Sequence, residues 1–90
     1  MSESPEEVVL YWRPGCPFCT KLRLSLFGSK LRVRQVNIWK DPAAAAYVRS
    51  VADGNETVPT VDVAGKALVN PSRRLLMRTV RERAPHALTG

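Results

Sequence analysis

The order of apolar and polar positions predicts two strands joined by a helix in the first half of the chain. The β-branched and aromatic run at residues 8–12 is typical of a buried strand, and a Pro-Gly pair at residues 14–15 stops it. After Cys16, apolar residues recur every four positions, which predicts a helix ending at Gly28. Those positions are Phe18, Leu22 and Leu26. A further apolar segment at residues 31–38 predicts the second strand.

A second helix and a hairpin are predicted next. Asp41 followed by Pro42 indicates a helix start, because aspartate is a favoured N-cap and proline is tolerated at the first helical position. The buried side of this helix is predicted to carry Tyr47, Val48 and Val51. Residues 58–63 and 67–69 then predict two strands joined by a tight turn.

Asn70-Pro71 predicts the start of a last helix, which Pro85 ends. The resulting order is βαβαββα. A strand–helix–strand unit requires a parallel strand pair with a right-handed crossover, and the hairpin adds antiparallel strands. The sequence therefore predicts an α/β fold in which three helices flank a four-stranded mixed sheet.

The length of 90 residues predicts one domain with a single modest core. We expect this domain at residues 8–90, after a disordered acidic leader at residues 1–7 that lacks the pattern of an export signal. No apolar run approaches the ~20 residues that span a bilayer. These features predict a cytoplasmic monomer without a membrane anchor.

Basic residues outnumber acidic ones, with a net charge of +6 and a pI near 10.0. This excess suits an acidic partner or an anionic ligand without distinguishing them. Arg74, Arg78 and Arg81 form a stripe on the last predicted helix. The stripe is interpreted as a solvated face, with docking of an acidic protein as the alternative. No nucleic-acid-binding motif accompanies it, so no nucleic-acid partner is predicted.

The chain has two cysteines, Cys16 and Cys19, and their spacing favours redox chemistry. A disulfide across two intervening residues constrains little of the unfolded chain and is a poor structural staple. Structural zinc requires four ligands, and only the remote His86 could join the pair. No metal site is therefore predicted, although a metal or iron–sulfur module remains an alternative.

The two cysteines are predicted to have different roles. Cys16 lies where a helix begins, so the helix dipole and free N–H groups favour an exposed thiolate there. Arg13 and Lys21 add positive charge nearby. Cys19 lies one turn deeper in a weaker field. We therefore expect Cys16 to be the nucleophile and Cys19 the resolving thiol.

The residues flanking the cysteines are predicted to contact substrate. Pro17 in the first helical turn loses no hydrogen bond through its missing N–H. Phe18 offers an apolar wall to a bound sulfur compound.

Residues 11–19 (Tyr-Trp-Arg-Pro-Gly-Cys-Pro-Phe-Cys) and 57–61 (Thr-Val-Pro-Thr-Val) resemble the active-site motif and the Thr-Val-Pro loop of the glutaredoxins. The resemblance implies a thioredoxin-like fold and thiol–disulfide oxidoreductase activity. It also implies a cis bond between Val58 and Pro59. Arg13, Thr57, Val58 and Pro59 are then expected to contact substrate, with the Val58 backbone pairing to the cysteinyl part of a bound thiol.

Residues 69–72 depart from the Gly-Gly-x-Asp segment with which glutathione-specific members hold glutathione. Pro71 has no N–H, and no acidic residue follows at the expected place. This stretch, with residues 54–61, resembles the mycoredoxins, which implies mycothiol rather than glutathione as co-substrate and no bound cofactor. The implied activity is reduction of mixed disulfides between proteins and this low-molecular-weight thiol. An electron donor of the ribonucleotide reductase redoxin type, reduced by a flavoprotein, is the alternative.

Overall fold

A four-stranded mixed sheet forms the centre of the structure. The computed structural model describes residues 8–29 and 31–88, so the predicted leader at residues 1–7 lies outside the described residues. The elements are β1 (Val8–Trp12), α1 (Pro17–Ser25), β2 (Arg34–Asn37), α2 (Pro42–Val51), β3 (Thr60–Val63), β4 (Lys66–Val69), α3 (Arg73–Arg83) and a short 3₁₀ turn (Pro85–Ala87). The strand order is β2-β1-β3-β4, with β1 parallel to β2 and the other two pairings antiparallel. The predicted βαβαββα arrangement is confirmed.

Side chains alternate between two cores on opposite faces of the sheet. Val8 and Leu10 of β1 pack in the larger core with α1 and α3, to which Leu76 contributes from α3. Tyr11 points to the opposite face and packs against the smaller core, to which α2 contributes Val48. This alternation follows from the period of two along a strand. One helix therefore covers one face, and two helices cover the other.

The sequence predicted the start of α2 correctly and the start of α3 incorrectly. The Asp41 carboxylate accepts a hydrogen bond of 3.1 Å from the Ala44 N–H, which confirms the predicted cap of α2. The predicted start of α3 at Asn70-Pro71 is wrong, because Ser72 is the N-cap. Asn70 has a left-handed backbone, with φ of 51°, and its N–H donates to the Pro59 carbonyl at 2.8 Å.

Three further boundaries differ from the predicted ones. Helix α1 ends at Ser25 rather than at Gly28, and Phe27 beyond it is exposed. Strand β2 is shorter than the predicted 31–38, and β3 begins at Thr60 because Pro59 has no N–H for the ladder. In the described part of the chain no helix is both long and apolar enough to cross a membrane.

Candidate active site

Cys16 lies at the junction of β1 and α1, on the edge of the sheet where β1 ends. A Pro-Gly turn leads the chain out of β1, and Gly15 within it has φ of 78°, a conformation that residues with a side chain rarely adopt. Cys16 then has extended backbone angles and forms the N-cap of α1. Pro17 is the first residue of the helix, where its missing N–H costs no hydrogen bond. The turn therefore fixes a thiol at the N-terminus of a helix.

The sulfur of Cys16 replaces the oxygen that usually caps a helix. Its Sγ accepts a hydrogen bond from the Cys19 N–H at 3.3 Å. As a thiol it also lies 3.7 Å from the Val58 carbonyl, to which it can donate. The helix N-terminus thus supplies a donor that favours the thiolate, whereas the carbonyl can bond only the thiol form.

The expected exposure of Cys16 is wrong, because only 5% of the residue is exposed. Cys16 packs in the smaller core together with Val58 and with Ile38, which directly follows β2. Cys19 is more deeply buried in the same core, as its position one turn into the helix predicts. The thiol pair is therefore part of the apolar packing between α2 and the sheet.

The environment separates the acidities of the two thiols. Burial raises the pKa of Cys16. Hydrogen bonds from Cys19 and the Phe18 N–H, together with the charge of Arg13, lower this pKa by more than burial raises it, so the pKa lies below its ordinary value. Burial and the hydrogen bond to Cys16 raise the pKa of Cys19 to about 11. This arrangement favours the thiolate at Cys16 over that at Cys19, and near neutral pH it keeps Cys19 protonated.

This difference predicts the pH dependence of alkylation. In the reduced protein, iodoacetamide modification of Cys16 should rise to half its maximum at a pH below that of a free cysteine, because only the thiolate reacts. Mass spectrometry should show modification at Cys16 and not at Cys19 over this range. Arg13→Gln should move the midpoint up and Arg13→Lys should leave it nearly unchanged. A Cys16 midpoint at or above that of free cysteine would contradict the assignment.

The loop before β3 faces the thiol pair. The peptide bond between Val58 and Pro59 is cis. The Thr57 carbonyl accepts a hydrogen bond of 2.7 Å from the Thr60 hydroxyl, which holds the loop against the start of β3. The loop thereby presents the Val58 carbonyl to Cys16.

A groove of about 330 Å³ runs between α1 and the segment that connects β4 to α3. Its lining residues are Phe18, Lys21, Leu22, Ser25, Pro59, Asn70, Pro71, Ser72 and Arg73. Phe18 and Pro59 form the end of the groove beside the thiol pair, and Phe18 is 63% exposed. The Arg73 guanidinium bonds the Ser25 carbonyl at 2.9 Å and so links the two walls. Within the described residues the groove has cationic and polar groups but no acidic side chain.

The structure brings most of the predicted site residues together. Phe18 and Pro59 line the groove, whereas Arg13 is exposed in the turn before Cys16. Sequence reasoning missed Ser25, Asn70 and Arg73 as groove residues. The departure at residues 69–72 indicated that this segment differs in its ligand contacts, but no sequence signal linked Arg73 to Ser25.

Within the described residues, the cysteine pair is not part of a larger cluster of metal-ligating side chains. Among residues 8–29 and 31–88, no group of three or more His, Cys, Asp or Glu side chains could hold an ion. The two thiols are free, lie in an apolar core, and form hydrogen bonds with one another and with the backbone. Their arrangement suits exchange between sulfurs.

The match to a protein family agrees with this geometry. The family model described as glutaredoxin matches residues 8–68, well over half of the chain. The chain belongs to the glutaredoxin family. Glutaredoxins are thiol oxidoreductases that work with low-molecular-weight thiols and disulfide-bearing proteins. The resemblance inferred from the cysteine motif and the Thr-Val-Pro loop is thus confirmed at the level of the family.

Two relatives are similar in sequence over much of this glutaredoxin.

 Rv3198A of Mycobacterium tuberculosis strain H37Rv, which bears a provisional glutaredoxin name, is 39% identical over 66 residues, covering 72% of this chain and 79% of that protein. Mycoredoxin 1 of Corynebacterium glutamicum is 37% identical over 54 residues, covering 60% of this chain and 66% of that one.

A solved structure supports the fold assignment. The glutaredoxin grx-1 from Archaeoglobus fulgidus superimposes with a TM-score of 0.71 at 22% identity, covering 84% of this chain and 87% of that one. At this identity the likeness concerns the fold, which is thioredoxin-like as the resemblance implied.

Proposed function

We propose that this glutaredoxin reduces mixed disulfides between proteins and mycothiol, with Cys16 as nucleophile and Cys19 as resolving thiol. The observation that carries the proposal is the placement of the two thiols: Cys16 Sγ caps α1 and accepts the Cys19 N–H at 3.3 Å, whereas Cys19 is buried one turn deeper in the helix. This placement lowers the pKa of Cys16 and raises that of Cys19 to about 11. Only a thiolate attacks a disulfide at a useful rate, so the two cysteines have different roles.

The reaction follows from this asymmetry. The Cys16 thiolate attacks the mycothiol sulfur of the mixed disulfide, the sulfur–sulfur bond breaks, and the protein leaves as a thiolate that takes up a proton. Mycothiol is then bound to Cys16 through a new disulfide. A second mycothiol thiolate attacks the sulfur of the bound mycothiol, the bond to Cys16 breaks, and oxidised mycothiol leaves while Cys16 returns to the thiolate. In the dithiol route Cys19 loses its proton and attacks Cys16 instead, which releases mycothiol and leaves an internal disulfide.

The residues around Cys16 fit a small thiol conjugate. The Val58 backbone lies beside the sulfur, where it can pair with the cysteinyl part of the bound thiol. The exposed ring of Phe18 offers apolar contact at the end of the groove. Arg13 and Thr57 complete the set of residues that we assign to substrate binding, together with Pro17 and Pro59.

The choice of mycothiol over glutathione has two supports. The first is the similarity to Mycoredoxin 1 of Corynebacterium glutamicum. The second is the groove wall, where Pro71 offers no N–H and no acidic side chain among the described lining residues could bind the amino group of glutathione. The hydroxyls of Ser25 and Ser72 and the amide of Asn70 suit the sugar hydroxyls of mycothiol instead.

The test is reduction of one mixed-disulfide substrate with mycothiol or glutathione as the only electron source, each coupled to its own disulfide reductase. We expect turnover with mycothiol to exceed that with glutathione by at least about tenfold, which corresponds to ~1.4 kcal/mol of discrimination. A third arm contains NADPH and thioredoxin reductase without a small thiol. Equal turnover with both thiols, or faster turnover in the third arm, would contradict the choice of mycothiol.

A further inference from the structure

The charged residues of this protein are divided unequally between the two faces of the sheet. Helix α1 carries two basic residues and no acidic one, and α3 carries five arginines and one glutamate. Both helices pack on the same face. That face therefore carries seven cations and one acid on its helices.

The other acidic side chains of the described residues belong to the face that α2 covers. Asp41 caps the start of α2, and Asp53 follows its end. Glu56 forms an ion pair of 2.6 Å with Arg49 of α2, and Asp62 accepts a hydrogen bond from Tyr47 of the same helix. None of these four acids forms a salt bridge with an arginine of α3 in the described residues.

Three arginines of α3 form its outer surface. At 100° per residue, Arg74, Arg78 and Arg81 lie opposite Leu76 and Val80, which are fully buried. All three are exposed, and none pairs with an acidic side chain in the part of the chain that the structure describes. They span seven residues, or about 10 Å along the helix axis. A stripe of that length matches about three residues of an extended peptide.

The groove connects this stripe to the thiol pair. Arg73, at the start of α3, lines the groove with Lys21 of α1, and Phe18 lines its other end beside Cys16. Lys21 and Arg73 are both exposed, so the polypeptide half of a mixed disulfide can pass over these two basic side chains onto α3 while the small thiol occupies the groove.

We propose that the surface formed by Lys21, Arg73, Arg74, Arg78 and Arg81 docks an acidic segment next to the disulfide of a protein substrate. This inference rests on the proposed function and names the class of partner. Complementary charge raises the rate of encounter and orients the partner, and the effect weakens with salt. The α2 face carries four of the five acidic side chains of the described residues, so the acidic segment is expected on the side of α1 and α3.

The test uses two peptides that differ only in charge. Each carries a single cysteine in a mixed disulfide with the same small thiol, followed by four glutamates in one peptide and four glutamines in the other. At low ionic strength we expect kcat/KM to be about tenfold higher for the acidic peptide. Added salt should reduce this preference towards unity, because a Debye length of about 8 Å at 0.15 M screens exposed charges.

Matched variants locate the effect on the protein. Arg78→Gln with Arg81→Gln should abolish most of the preference, while the rate with bis(2-hydroxyethyl) disulfide stays unchanged. Arg34→Gln with Lys40→Gln removes the same charge from exposed positions on β2 and just before α2, and should keep the preference.

The inference is overturned if the acidic peptide has no advantage, or if both double variants lose it equally. It is also overturned if a single-stranded oligonucleotide binds the same arginines more tightly than the acidic peptide. Activity of the unaltered protein with bis(2-hydroxyethyl) disulfide tests the proposed function separately, because this small substrate carries no charge.

Discussion

Replacing Cys16 with serine should lower the rate of mixed-disulfide reduction by at least about 1,000-fold, because the nucleophile is lost. Cys19→Ser should retain activity, since a second molecule of the small thiol can release the product from Cys16. A steady-state assay with a peptide mixed disulfide measures both variants. Mass spectrometry of the Cys19→Ser protein should find the small thiol attached to Cys16.

Folding is the necessary control for this pair. Both cysteines are buried, so each serine places a hydroxyl in the smaller core. Circular dichroism and urea unfolding of both variants will separate loss of chemistry from loss of structure. Two folded variants with equal activity would contradict the assignment of roles.

The second large effect concerns stability. Leu76→Ala should lower the free energy of unfolding by about 2–5 kcal/mol, because Leu76 is 0% exposed and its truncation leaves a cavity in the larger core. A domain of this size has a total stability of only roughly 5–13 kcal/mol. Much of the native population could be lost at elevated temperature, and with it the groove wall that α3 provides.

Urea unfolding of the reduced protein measures this change, and Leu24→Ala is the matched control. Leu24 is the same residue type on a helix of the same face, but it is 64% exposed, so we expect its truncation to cost less than about 0.5 kcal/mol. Similar losses for the two variants would show that the packing of Leu76 does not determine stability.

The elements that local sequence signals define were predictable. Strand β1 has the bounds that its β-branched and aromatic run predicts, and α2 begins behind Asp41 as its cap predicts. Both signals act within a few residues, so no tertiary contact is needed to read them. The order of strands and helices then restricts the sheet to few topologies.

The errors of prediction occur where a contact between residues distant in sequence determines a helix start or the burial of a side chain. Asn70-Pro71 and Ser72 are both acceptable helix starts by sequence, and the hydrogen bond from Asn70 to the remote Pro59 carbonyl favours the second. The burial of Cys16 likewise depends on Ile38 and Val58, which are distant in sequence.

The hydrogen bond from Asn70 to Pro59 also bears on engineering. It joins the segment between β4 and α3 to Pro59. The carbonyl of the preceding residue, Val58, lies 3.7 Å from the sulfur of Cys16. Under the proposed function residues 70–72 also contact the co-substrate, so replacing them with the segment of a homologue should change both thiol recognition and the surroundings of the Cys16 sulfur. A graft of this segment should therefore include residues 58–59, to which it is hydrogen-bonded.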